Sequence, residues 1–449
     1  MASGVPAPSG AVRQVPAPRG LAHARTLARA GEDLHAAVAE LHAAYGPAFA
    51  FGFGPIRFAW FVGADAARTI LHERRDAFSQ RGGYDFLKVV GGPTALISSD
   101  EPEHLRRRRR VQPAFHGRHV ASWLATGEAV LAPWLAALAA SGEPVDLYRG
   151  LRPRLVRIVA RIALGDVPLA RDEAWLRDVN ALMDFPGRPM LEQQWKLPLP
   201  GTPWARFVAA RRRVDRALYA EIARRRAARD PGDAAGDVLG MLLGPGEDGG
   251  ADLSDAELRD QTLSLISAGF DTTAAALTWC LAMAAEHPAA GSRLREALAD
   301  GDPVAAQREP YVDAFVKETL RLRPPAAAAL RRTVDEVEVA GYRVPPRQRV
   351  AFSILLTQRD PEVFEDPDRF DPERFAAGDP PPFTYLPFGH GVRHCIGAGT
   401  ATALVKAGLA LSLGRYETVP VRPGPYAPTG MTLHPEGGFP ATVTERQAP

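Results

Sequence analysis

Of the two cysteines in the 449-residue chain, one is placed to do chemistry. Cys395 lies in Leu386-Pro387-Phe388-Gly389-His390-Gly391-Val392-Arg393-His394-Cys395-Ile396-Gly397, a glycine-rich loop with an arginine two residues before the thiol. Glycines let the backbone turn tightly and bring N–H groups to sulfur, where they stabilise a thiolate and moderate its donor strength. That is a way to present a single thiolate to a metal. The plainer alternative is a buried core thiol, which free cysteines often are. Cys280 sits in an apolar stretch, no Cys/His spacing points to zinc, and two distant cysteines make no disulfide framework. The chain is therefore expected in a reducing compartment, the cytoplasm.

A second group of reactive side chains interrupts the apolar stretch Gln261 to Ala285. Its length would allow a membrane span. However, Ser264, Ser267, Asp271, Thr272, Thr273 and Thr278 are costly in lipid, and Ser254-Asp255-Ala256-Glu257 caps the stretch as a soluble helix. The reading is a helix from Asp255 to Glu286, stopped before Pro288, about 48 Å long at 1.5 Å per residue. Apolar all round, it must cross the middle of a core. Within it, Ala268-Gly269-Phe270-Asp271-Thr272-Thr273 works against stability. A glycine inside a helix costs about 1 kcal/mol against alanine, and an acid among apolar residues costs more unless paired. Such local rule-breaking is expected at functional sites. The alternative is that Gly269 permits close helix packing and Thr272 bonds back to the Ala268 carbonyl.

Taken together, the cysteine loop and the Ala-Gly-x-Asp-Thr segment resemble the haem-thiolate monooxygenases of the cytochrome P-450 family, soluble bacterial type. The resemblance implies a mainly α fold, a helical prism with a small β-rich region, and haem between the long central helix and the cysteine loop. It implies haem b, iron protoporphyrin IX, with Cys395 as axial thiolate and Pro387, Phe388, Gly389 and Gly397 in its cradle. Ala268 and Gly269 would flank the oxygen groove, Gly269 making room for dioxygen, and Asp271 and Thr272 would deliver protons. Lys317-Glu318-Thr319-Leu320-Arg321 resembles the family's Glu-x-x-Arg helix, with Arg374 completing a buried triad beneath the loop. Two haem propionates call for cations, and the family pattern assigns His104 and Arg108, Arg331 and Arg393.

With 46% hydrophobic residues and a net charge of +2, nothing pulls the chain toward nucleic acid or a membrane. The run Arg106 to Arg110 reads as a solvated or haem-facing helix. Residues 1–20 read as a disordered lead-in, not a signal peptide, and 21–449 as one domain, expected to be a monomer. Helical spacing marks Asp33 to Ala44, His119 to Ala140, Glu173 to Met183 and Trp204 to Ala228; short strands with turns fit Val337 to Val350. Gln358, Thr400 and Leu404 depart from residues frequent in relatives.

The expected reaction inserts one oxygen atom from O2 into a small apolar organic substrate of terpenoid, fatty acid, steroid or polyketide type. No flavin domain and no iron–sulfur cysteines are present, so electrons are expected from a ferredoxin and ferredoxin reductase, or a flavodoxin-type donor. Arg393 and Lys406 are expected on a basic docking face. Tyr84 to Val90, Phe185 to Met190, Ala326 to Leu330 and Met431 to Leu433 are expected around the pocket. Two other readings stay open, a peroxide-driven hydroxylase and a haem-binding sensor without turnover.

Overall fold

The longest apolar stretch of the sequence is the longest helix of the computed structural model, which describes residues 12–188, 192–228, 236–244, 252–376 and 378–446. Asp255–Glu286 is continuous over 32 residues, and its start is fixed by the expected capping box. Ser254 Oγ accepts from the Glu257 N–H, and Glu257 Oε2 accepts from the Ser254 N–H, both at 3.2 Å. In chain order the longer helices are α1 (Gly20–Glu32), α2 (Leu34–Tyr45), α3 (Glu103–Val111), α4 (Val120–Ser141), α5 (Leu147–Leu164), α6 (Glu173–Ala181), α7 (Pro203–Ala227), α8 (Asp255–Glu286), α9 (Pro288–Ala297), α10 (Pro310–Leu322) and α11 (Ala398–Leu409). Helices α5, α7, α10 and α11 pack around α8. The core they enclose includes the fully buried Trp279, Phe270, Phe315 and Leu151. With its apolar window 78% buried inside protein, α8 is a core helix despite passing for a membrane span by length and composition.

The strands are β1 (Arg13–Gln14), β2 (Ala48–Phe51), β3 (Phe58–Phe61), β4 (Phe78–Ser79), β5 (Val145–Asp146), β6 (Ala328–Thr333), β7 (Val337–Val339), β8 (Tyr342–Val344), β9 (Arg349–Ser353), β10 (Tyr416–Pro420), β11 (Pro428–Thr429), β12 (His434–Pro435) and β13 (Pro440–Glu445). Five of them form one sheet in the order β2-β3-β9-β6-β4. The antiparallel β6–β9 register sets Arg331 opposite Val350 and Arg332 opposite Arg349.

Helices read from spacing start or stop within a residue or two of their observed ends, and at three of the four a side-chain cap fixes the start. Asp33 accepts the N–H groups of His35 and Ala36, and Asp172 those of Ala174 and Trp175. Helix α5 escapes sequence reading, since five arginines and Pro153 break its apolar spacing. One expectation needs correction. Residues 1–11 lie outside the described ones, but 12–20 are not a disordered lead-in: Arg13–Gln14 pairs in parallel with Tyr342 and Arg343. The β8 edge offers open backbone groups, and the Arg13 guanidinium lies 4.3 Å over the Tyr342 ring. The Ala50 N–H donates to the Pro16 carbonyl at 2.8 Å.

Candidate functional site

The loop before α11 is shaped by Gly389 (φ 69°) and Gly391 (φ 64°), both left-handed, a region side chains rarely allow. They turn the chain back so that the Cys395 N–H donates to the Phe388 carbonyl at 2.8 Å and the Gly389 N–H to Leu386 at 2.9 Å. The loop starts from a fixed strut: Gln358 Oε1 accepts the Leu386 N–H at 2.7 Å, while its Nε2 donates to the carbonyls of Leu320 and Arg321 at the end of α10. The Cys395 side chain is accessible to a water-sized molecule, yet burial pushes its thiol pKa up. The backbone at Gly397 and the nearby Arg108 act in the opposite sense and favour the thiolate.

Between Leu258 and Ala284, α8 is buried except at Ser264, Leu265, Ala268, Gly269 and Thr272. At 3.6 residues per turn these fall on one face, so the helix opens to internal space along that stripe alone. Thr272 Oγ1 donates to the Ala268 carbonyl at 2.7 Å. Asp271 lies off the stripe and is buried; Arg152 Nε stands 2.9 Å away and the Tyr148 hydroxyl donates to it at 3.3 Å. Burial and this carboxylate push the Tyr148 phenol pKa well above its ordinary value, and the ring stacks on His434 with centroids 4.2 Å apart. Sequence reading missed Tyr148 and Arg152. Their i,i+4 spacing was the available signal, hidden because α5 was not read as a helix. Gly269 also has a packing role: a Cβ there would meet Val159 Cγ1 of α5 at 3.1 Å, so the missing side chain makes room for a neighbouring helix.

The five arginines of α3 are sorted by direction. Arg106 and Arg107 reach Glu257, Arg110 reaches the Leu242 and Gly244 carbonyls, and Arg109 faces solvent. Arg108 has no protein partner among the described residues and lies near enough to Cys395 to act on its charge. His104 is buried with Nδ1 3.3 Å from Glu101. Arg331 is buried and makes one hydrogen bond among the described residues, to the Leu330 carbonyl; burial pushes its pKa down. Arg393 differs from expectation. It is held inside the protein by the Ser99 carbonyl at 2.9 Å and Glu101 at 2.7 Å. Glu101 is brought to it by the chain just ahead of α3, which no spacing in the sequence reveals.

Beneath the loop, Glu318 and Arg321 are fully buried and joined by two hydrogen bonds of 2.7 and 2.9 Å. Arg374 Nε lies 3.4 Å from the same carboxylate. One surface expectation fails, and one pocket residue packs as core. Lys406 is buried and paired with Asp313 at 2.7 Å, because the helix turn that follows the loop carries it inward. Phe185 packs on Trp204 and Phe207 as core, while Pro189 and Met190 lie outside the described residues. Ala326 is exposed and Ala328 to Leu330 partly accessible.

The family profile described as Cytochrome P-450 matches residues 20–438. Cytochrome P-450 139 of Mycobacterium tuberculosis is 33% identical over 387 residues, covering 82% of this chain and 87% of its own. Cytochrome P-450 135B1 of the same organism is 33% identical over 390 residues, covering 83% and 79%. Among solved structures, the retinoic-acid-bound cyanobacterial CYP120A1 superposes with a TM-score of 0.84 at 23% identity, covering 97% of this chain and all of that one. The haem domain of cytochrome P-450DA gives 0.81 at 20% identity, covering 98% and 99%. The chain belongs to the cytochrome P-450 family, and its fold is the family's. It is an oxidoreductase, a monooxygenase by class. The family implies haem held by a cysteine thiolate. The residues present fit that group: one accessible thiol with Arg108 near it, and, among the described residues, Arg108 and Arg331 in no ion pair with a carboxylate.

Proposed function

We propose that this chain inserts one atom of dioxygen into a small apolar substrate, with Cys395 as the haem ligand and with electrons from separate proteins of ferredoxin and ferredoxin-reductase type. The observation that supports it most is the accessible stripe at Ala268 and Thr272 on an otherwise buried stretch of α8, together with one accessible thiol, Cys395, in the glycine-turned loop before α11. When bound, haem supplies reductive activation of dioxygen, assisted by electron donation from a thiolate.

The chain's residues do the rest. The loop backbone and Arg108 hold negative charge on sulfur, which desolvation alone would disfavour. His104, Arg108 and Arg331 would hold the haem carboxylates, with Arg393 acting through Glu101 to fix the start of α3, the helix that carries His104. Thr272 carries a hydroxyl that can re-aim its proton from the Ala268 carbonyl into the cleft. Asp271, one residue before it and tied to Arg152 and Tyr148, is the acid that restores that proton. Apolar side chains around the stripe ration water, so that protons arrive from these two groups and not at random. The alanine-rich strand segment Ala326 to Leu330 suits terpenoid, fatty acid, steroid or polyketide surfaces. With Cys395 assigned to haem, the one remaining cysteine of this sequence, the buried Cys280, is too little to ligate an iron–sulfur cluster, which favours an external electron donor. Both cysteines being free supports a cytoplasmic setting.

Carbon monoxide added to the reduced protein tests the ligand. Native chain should give the absorption band that names the family and Cys395→His should not; a band kept in the variant sinks the reading. Thr272→Ala tests the relay. Haem and substrate binding should persist while product per NADPH falls and hydrogen peroxide rises. Unchanged coupling would show that another group supplies the proton.

A further inference from the structure

Along β6, consecutive side chains point to opposite faces of the sheet. Arg331 goes inward and is buried; Arg332 goes outward and is exposed. There it stands directly across from Arg349 of β9, and like charges so paired destabilise a sheet. Arg57, just ahead of β3, and Arg347, just ahead of β9, join them around a cleft of about 280 Å³ lined also by Gly54 and Gln348. Four arginines thus line one small concavity. Among the described residues their one carboxylate is Asp85, which takes Arg349 at 2.8 and 3.3 Å. Arg57, Arg332 and Arg347 form no ion pair within the described chain.

The cleft is also built. Arg332 Nε donates to the Arg347 carbonyl at 3.1 Å. The turn is pinned by the N–H groups of Arg347 and Gln348, which donate to Thr333 O and Oγ1 at 2.9 Å each. Arg347 itself has φ 62°, a left-handed conformation uncommon for a residue with a side chain and costly by roughly 1–3 kcal/mol. Glycine would suit that turn better, yet an arginine stands there and lines the cleft.

We propose that this cleft binds a phosphate-bearing anion with two or more adjacent charges, of the diphosphate class. Guanidinium forks match phosphate oxygens in pairs, and such an anion neutralises the three arginines of the cleft that Asp85 leaves without an ion pair. The volume suits a diphosphate group with little attached. The site lies on the outer face of the sheet and is independent of the oxygenation chemistry.

The test uses the full chain with its haem and inorganic pyrophosphate as probe, by calorimetric titration and thermal unfolding at about 0.15 M salt. Phosphatidic-acid vesicles form a second arm, because a lipid head group offers the same chemistry. One pyrophosphate per chain, with a rise in unfolding temperature not matched by chloride at equal ionic strength, is the expected result. Arg347→Gly keeps the turn and removes the guanidinium. It should weaken binding about ten-fold while leaving the unliganded protein as stable or more so, and Arg57→Gln should weaken it by a similar factor. Binding to vesicles alone, lost in Arg347→Gly, supports the phosphate chemistry and assigns its source to lipid. Saturable binding to neither probe, or full affinity in the Arg57→Gln/Arg347→Gly double variant, overturns the proposal.

Discussion

Arg321 and Arg331 are both buried, and the fold treats them in opposite ways. Arg321 spends its N–H groups inside the protein, on Glu318 twice and on the carbonyls of Gln358, Pro367 and Arg369. Arg331 has one bond, to the carbonyl next to it. A buried cation with every donor used is architecture, since breaking it leaves charge stranded. A buried cation with donors unspent costs desolvation that only an anion from outside the chain returns. Between these extremes stand Asp271, held by Arg152 and Tyr148, and Glu101, shared by His104 and Arg393.

That ladder can be broken rung by rung. Glu318→Gln should cost the most, about 3–5 kcal/mol in urea unfolding, by stranding Arg321; a loss under about 1 kcal/mol would remove the distinction. Asp271→Asn should cost about 1–3 kcal/mol, because Arg152 keeps a second acid, Asp184, at 3.5 Å. It should also slow turnover as a whole. For Glu101, burial opposes ionisation, but contact with His104 and Arg393 outweighs it and lowers its pKa to about 2. The unfolded chain binds this proton first, so the contribution is present above about pH 4.5 and is lost as pH falls toward about 2. Glu101 is partly exposed, so Glu101→Gln should cost only about 1 kcal/mol at neutral pH and nothing near pH 2, as acid unfolding curves would show. Arg331→Gln should have the smallest effect on the haem-free protein, no loss or a slight gain. Haem retention measured by absorbance should nevertheless fall. Destabilisation equal to that of Glu318→Gln would place Arg331 with the architecture.

The same contrast explains what could be read in advance. The loop of Cys395, the i,i+3 pair Glu318 and Arg321, and the bounds of α8 rest on neighbours within a few residues, so spacing and caps reveal them. The partner of Arg393 lies 292 positions away, and Lys406 meets Asp313 across two helices. No local pattern carries either fact, and both were expected at a surface.

What the sequence alone determined is therefore the chemistry available: one thiolate-forming loop, an acid and an alcohol on a central helix, and an excess of arginine. Backbone torsions, helix periodicity and capping are set by adjacent residues, and they place those groups on their elements. What only the tertiary structure decided is which charges are spent. It turned Gly269 toward α5, tied Asp271 to α5, spent Arg393 on Glu101, and left Arg331 on one face of β6 and Arg332 on the other without an acid. Electrostatic and packing partners are matters of distance in space, and the chain brings together residues whose separation in sequence says nothing about it.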